Sequence, residues 1–129
     1  MNKDDASAVA LQRPTDFFTP EEIAYLRELD SWRSSLAIAH CWAVIVGTWI
    51  VVCLFPNPIT ITLGVMIIGT RQLGLFVLTH DGAHGALYKN RRLNDWVCEW
   101  LLNRPFTDEK IDNYRKYHVV HHANTQQEN

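Results

Sequence analysis

The sequence predicts an all-α membrane protein built on a transmembrane helical hairpin, and three observations carry that expectation. No Asp, Glu, Lys or Arg falls between Arg33 and Arg71, although both flanks are densely charged. Pro56-Asn57-Pro58 divides this uncharged run into two segments, each long enough to cross hydrocarbon. Five of the six histidines fall into two clusters, His80 with His84, and His118 with His121 and His122. On helices, spacings of three and four residues turn imidazoles toward one face, which is the geometry of metal ligands.

Composition bounds the rest. A chain of 129 residues has room for one modest domain. With 12 Lys+Arg against 14 Asp+Glu there is no basic surplus, so no nucleic-acid partner is expected. The three cysteines, an odd number, make no disulfide framework. Cys41 and Cys53 would stand about 18 Å apart along one helix, too far to bridge. The first residues, Met1-Asn2-Lys3-Asp4-Asp5, do not read as a cleaved secretory signal.

Residues 1–18 show no helical period and read as a flexible arm, ahead of a membrane unit from 19 to 129. Thr19-Pro20-Glu21-Glu22 is a helix start: Thr as N-cap, Pro at the first position, Glu three after the cap. Tyr25, Leu29, Trp32 and Leu36 then form one apolar stripe, expected to lie along the membrane surface. An ordinary amphipathic core helix has the same period. The spans follow at 36–55 and about 59–79, the second interrupted only by Arg71. Basic residues flank the hairpin on both outer ends (Arg27 and Arg33 before; Lys89, Arg91 and Arg92 after), and its tip has none. The positive-inside rule therefore puts both termini and both histidine clusters in the cytoplasm. Asn94-Asp95 is expected to open a short interfacial helix with Trp96, Val97, Trp100 and Leu101 on one side, ended by Pro105. Thr107-Asp108-Glu109 is expected to start the helix that carries the second cluster.

Imidazole suits iron, zinc, copper and nickel. A catalytic zinc takes three protein ligands, and five clustered histidines exceed that, so two metals or one crowded site are implied. His80-Asp81-Gly82-Ala83-His84 is one methylene from the His-Glu-x-x-His of zinc proteases, where the acid is the general base. A second cluster of three histidines is not what such a site needs. A small membrane protein holding haem or a structural metal is the non-enzymatic alternative, though three histidines in one turn exceed what haem ligation uses.

Thr79-His80-Asp81-Gly82-Ala83-His84, then Asn94-Asp95-Trp96, then Tyr114-Arg115-Lys116-Tyr117-His118-Val119-Val120-His121-His122-Ala123-Asn124-Thr125 resemble the membrane fatty acid desaturase superfamily. That group includes acyl-lipid desaturases and the related carotenoid hydroxylases and ketolases. The resemblance covers about Arg71 to Thr125. It implies a non-haem di-iron centre at the cytoplasmic membrane surface, with His80 and His84 as first-box ligands and His118, His121 and His122 as second-box ligands. It also implies an apolar lipid substrate delivered from the bilayer, an electron donor such as a ferredoxin or cytochrome, and either a double bond or an alcohol as product. The family's third histidine box and second pair of spans have no counterpart here, so these residues resemble the N-terminal part of such an enzyme, inactive alone. Asp81 is expected either to orient an imidazole or to sit solvated at a helix end. His40 is expected as a core histidine bonded to a neighbouring helix. Arg71 is expected to snorkel to the interface or to pair with an acid elsewhere, and Asn124 and Thr125 to extend the family pattern or cap the second-box helix. Tyr114 and Tyr117 are open between packing and lining a substrate path.

Overall fold

The computed structural model describes residues 14–124, and the described residues are helical throughout, with no strand among them. Thirteen residues of the expected arm, 1–13, lie outside them, as does Thr125. After a single 3-10 turn at Pro14–Asp16 come α1 (Pro20–Leu26) and the two long helices α2 (Ser31–Leu54) and α3 (Pro58–Ala83). A short α4 (Arg91–Val97) runs directly into a π-helical segment, Cys98–Asn103, and α5 (Ile111–Ala123) follows.

The expected start of α1 is present in full. The Thr19 hydroxyl accepts from the Glu22 amide at 3.2 Å, and the Glu22 carboxylate accepts from the Thr19 amide at 2.8 Å. The apolar stripe that was expected to continue to Leu36 does not lie on one helix. The chain leaves the helix after Leu26, and Asp30 starts a new one by accepting the Arg33 amide at 3.3 Å. A short polar side chain that can bond a nearby amide competes with helix continuation, and here it wins over the period.

The hairpin is the expected one, with helices somewhat longer than the uncharged stretches. At about 1.5 Å per residue both exceed the hydrocarbon thickness of a bilayer, and both are long and apolar enough to cross it. Asn57 makes the tip: its side-chain oxygen accepts the Ile59 and Thr60 amides at 3.0 and 3.1 Å, with Pro58 at the first helical position. The outer surfaces of α2 and α3 expose Trp49, Ile50, Leu54, Ile59, Val65 and Met66. A contiguous apolar surface of that kind is stable only against hydrocarbon or another apolar partner. The molecule is an all-α membrane protein.

The core sits at the end of the hairpin away from the tip. Leu75, Ala83, Leu87, Val97, Cys98, Leu102 and Ile111 are buried together there. Trp42 ties α2 to this region, donating its indole N–H to the Leu101 carbonyl at 3.1 Å and stacking on Phe106. Ser35 and Tyr88 meet at 3.0 Å, so the start of α2 and the end of α3 lie at one end of the molecule.

Four further sequence expectations are corrected here. The short helix begins at Arg91, capped by Asn90 on the Leu93 amide at 3.2 Å, and not at Asn94-Asp95. Asn94 is fully buried and bonds across to α3. Trp96 and Trp100 are exposed while Val97 is buried, so they do not share a side. The π turn widens the helix and shifts the faces of the residues that follow, which a uniform 3.6-residue period cannot anticipate. The last helix starts at Ile111 rather than Thr107, because the Thr107 hydroxyl is taken up by Asn103 at 3.1 Å. His40 is exposed on α2 and has no hydrogen-bond partner among the described residues, so it is not a core histidine bonded to a neighbour. Arg71 is half-buried and makes no ion pair among them.

Candidate metal centre

The two histidine clusters come from the last turn of α3 and the second half of α5. Gly82 lets them approach. A Cβ at that position would stand 1.8 Å from the Cys98 sulfur, so the π segment can pack against the end of α3 only where there is no side chain. Gly85, with φ +77°, then turns the chain away from the helix in the left-handed region that favours glycine. α5 is fixed at its start by Glu99, whose carboxylate accepts the Ile111 amide at 2.8 Å. Lys110, the N-cap residue, makes no side-chain cap bond, so Glu99 does from the π segment what a capping residue does locally.

Four of the five clustered histidines converge. One ring nitrogen from each of His80, His84, His118 and His122 lies within 4.8 Å of the others. The Nε2 atom of His118 is 2.9 Å from the Nε2 of His84 on one side and 2.9 Å from that of His122 on the other. Ligand nitrogens sit about 2.0–2.1 Å from a metal, so nitrogens across one ion are separated by roughly 4 Å. The four nitrogens fit around a single ion with small adjustment, and the group could hold one. His121 stands outside this group; its ring centroid is 6.5 Å from that of His118.

Neighbouring residues hold the rings. Asp81 Oδ1 lies 3.2 Å from His80 Nδ1, which leaves the other ring nitrogen for the cluster. Tyr114 stacks on His118 with an interplanar angle of 12° and meets Phe76 edge-on, so it packs against a cluster ring; Tyr117 is exposed. Asn124 caps α5, its amide donating to the Val120 carbonyl at 2.8 Å. The imidazole of His84 titrates below its ordinary value, from burial first and then from repulsion by His80 and His122, partly opposed by Asp81. His118 is lowered likewise, by burial and then by His122, His80, His84 and His121. Both are therefore neutral at neutral pH, the form in which imidazole binds metal.

Residues that the sequence singled out only as part of a motif complete the surroundings. Arg115 donates through Nε to the Ala83 carbonyl at 2.9 Å, through Nη2 to Asp95 at 2.7 Å and through Nη1 to Asp112 at 2.8 Å. Asn94 donates to the Gly82 carbonyl at 2.9 Å and accepts the Leu87 amide at 3.3 Å. The legible signal for Arg115 was its place one helical turn before His118, which puts it on the cluster side of α5.

A helical membrane hairpin ending in a polyhistidine cluster that could hold a metal ion is the class of protein these features define. The sequence model of the family described as fatty acid desaturase matches residues 56–129, more than half of the chain. The chain belongs to the fatty acid desaturase family. No curated protein and no solved structure matches it.

Proposed function

We propose that this chain is part of an oxygen-dependent lipid desaturase, which introduces a double bond into a fatty acyl chain at a non-haem di-iron centre. The observation that carries the reading is the four-histidine cluster at the end of an apolar hairpin, within residues matched by the desaturase family. His80, His84, His118 and His122 would hold iron. His121, on the same helix but turned from the group, would serve the second iron together with ligands of the family's third box.

Removing hydrogen from an unactivated methylene is beyond amino-acid side chains, and iron supplies dioxygen activation when bound. The overall reaction balances as one saturated carbon pair, one dioxygen, two electrons and two protons giving one double bond and two waters. The electrons come from a donor such as a ferredoxin or cytochrome. The protein's own share is positional. Asp81 orients His80, Tyr114 braces His118, and an apolar groove reaches the residue before His80; Gly69, Leu73, Phe76, Thr79, Leu102 and Phe106 are among those that line it. An acyl chain entering from the bilayer finds a mainly apolar wall there, with Gln72, Asn103 and Thr107 among its polar members. The basic residues Lys89, Arg91 and Arg92 beside the cluster, against an uncharged tip, support a cytoplasmic face for the site.

The haem alternative is disfavoured by the same geometry. Haem would be held by one or two imidazoles, and here four ring nitrogens converge on one point. The test is expression of these residues within a full-length enzyme that carries the third histidine box, together with an electron donor, followed by mass spectrometry of acyl chains and iron analysis. Alkene products that vanish in His84→Ala, with iron lost and the protein still inserted, are expected. Hydroxylated or ketonic lipid as the sole product would assign it to the hydroxylase and ketolase branch instead.

A further inference from the structure

The Ala83 carbonyl lies in the last turn of α3, where helical carbonyls have lost their intrahelical donors. Its donor is the Arg115 guanidinium, on α5 and 32 residues away in sequence, and Ala83 is the residue next to His84. The same guanidinium reaches Asp95 on α4, and Asp95 is itself braced by Asn94 at 3.2 Å and by Arg91 at 3.3 Å. Asn94 in turn holds the Gly82 carbonyl, two residues before His84. One helical turn beyond Arg115 is His118, whose Nε2 meets that of His84. None of Arg115, Asp95 and Asn94 belongs to the four-histidine group. They grip the backbone from which its two halves project.

A planar guanidinium offers donors in a fixed fork, so it sets direction as well as distance. Three of its nitrogens are engaged here by three different elements or turns, and the Arg115 side chain is largely buried, at 20% exposure. Breaking the fork removes the direct tie from α5 to the Ala83 carbonyl and to α4, and leaves α5 held by the Glu99 cap on Ile111 and by packing of Tyr114 and Ile111. We infer that Arg115 and Asp95 are positioning residues, which set the separation of His84 from His118 and thereby the metal affinity of the cluster.

This inference rests on reading the cluster as a metal site, and the test separates the two. The full chain, purified in detergent, is titrated with Co(II), whose visible absorption reports the ligand field directly. Helical content by circular dichroism is followed in parallel. Asp95→Asn keeps the shape and removes the charge, and Arg115→Lys keeps the charge and removes the fork. Each is expected to weaken Co(II) binding by about tenfold at unchanged helical content, the low end of what outer partners of metal ligands contribute. The double variant should bind no more weakly than the weaker single one, because both act through one clamp. His84→Ala, which removes a ligand, should abolish the absorption band. If His84→Ala abolishes the band while Asp95→Asn and Arg115→Lys both bind as the parent does, the positioning role is wrong and the metal site stands. If the parent chain and His84→Ala titrate alike, the metal reading fails and takes the positioning role with it. Should Asp95→Asn lose helical content, Arg115→Lys decides alone.

Discussion

Gly82 shows how much one missing side chain can control. The hydrogen that replaces a Cβ there lets the Cys98 sulfur, fully buried, sit against the last turn of α3. Burial, together with the nearby Asp95 charge, pushes the Cys98 thiol up to about 11, so it is an inert packing group and not a nucleophile. Gly82→Ala would force the π segment outward, and overpacking of that kind costs about 1–3 kcal/mol. The thermal midpoint in detergent should fall accordingly. Adding Cys98→Ala should recover most of the loss, because the nearest remaining atom of residue 98 is at an ordinary 3.5 Å. At the same scale, the histidine spacings made the cluster legible in the sequence, but not that His121 would stand apart. In the i, i+3, i+4 set on α5, only the pair four residues apart, His118 and His122, closes on His84 and His80. Which of three neighbours points inward depends on how the helix is rotated, and Arg115 and Tyr114 set that rotation.

At the scale of elements, the long apolar helices were readable because hydrophobicity and length decide them, and the Pro56-Asn57-Pro58 tip because its caps are local. The polar end of the molecule was readable only in part. The start of α5 comes from a residue distant in sequence: Glu99 caps Ile111 across twelve positions, displacing the local candidate Thr107. Asn94 looked like a cap and is a buried tether. Glu99→Gln keeps the shape of that cap and removes its charge. It should expose the amides of the first turn of α5 to faster hydrogen exchange, with a global loss of about 1.5–3 kcal/mol, the order of a charged hydrogen bond. The pH dependence has a defined sign. Burial of itself would raise the carboxyl of Glu99, but the Ile111 amide and Arg104 outweigh it, and it titrates below its ordinary value. Asp95 does the same: burial raises it, and Asn94, Arg115 and Arg91 more than offset that. The folded form therefore holds fewer protons than the unfolded one near the ordinary carboxylate range of about 4. The stability these groups supply is complete above that range and is lost as pH falls through the lower folded values. Acid titration of metal-free protein should show α5 loosening first, and Glu99→Gln should flatten the response.

For the molecule as a whole, the contact of Ser35 with Tyr88 places the start of α2 and the end of α3 at one end, with the uncharged tip at the other. Cysteine scanning in sealed cells, in a background lacking the native thiols, should label Asn57→Cys from outside and spare Lys89→Cys. Labelling of position 89 from outside would invert the proposed orientation. The cluster also has a consequence for the chain as a polymer. Residues 84 and 118 belong to helices joined by a long connection, and an ion shared between their imidazoles is a covalent-like staple across it. Closing a loop of that size restricts the unfolded chain by about 2–4 kcal/mol on the scale known for disulfides, and ion binding thus becomes folding free energy. Loading the site should protect the segment between Gly85 and Tyr117 from protease. The two boxes would then work as a latch that closes the polar cap of the hairpin, so that metal supply would govern how much of this protein survives in the cell.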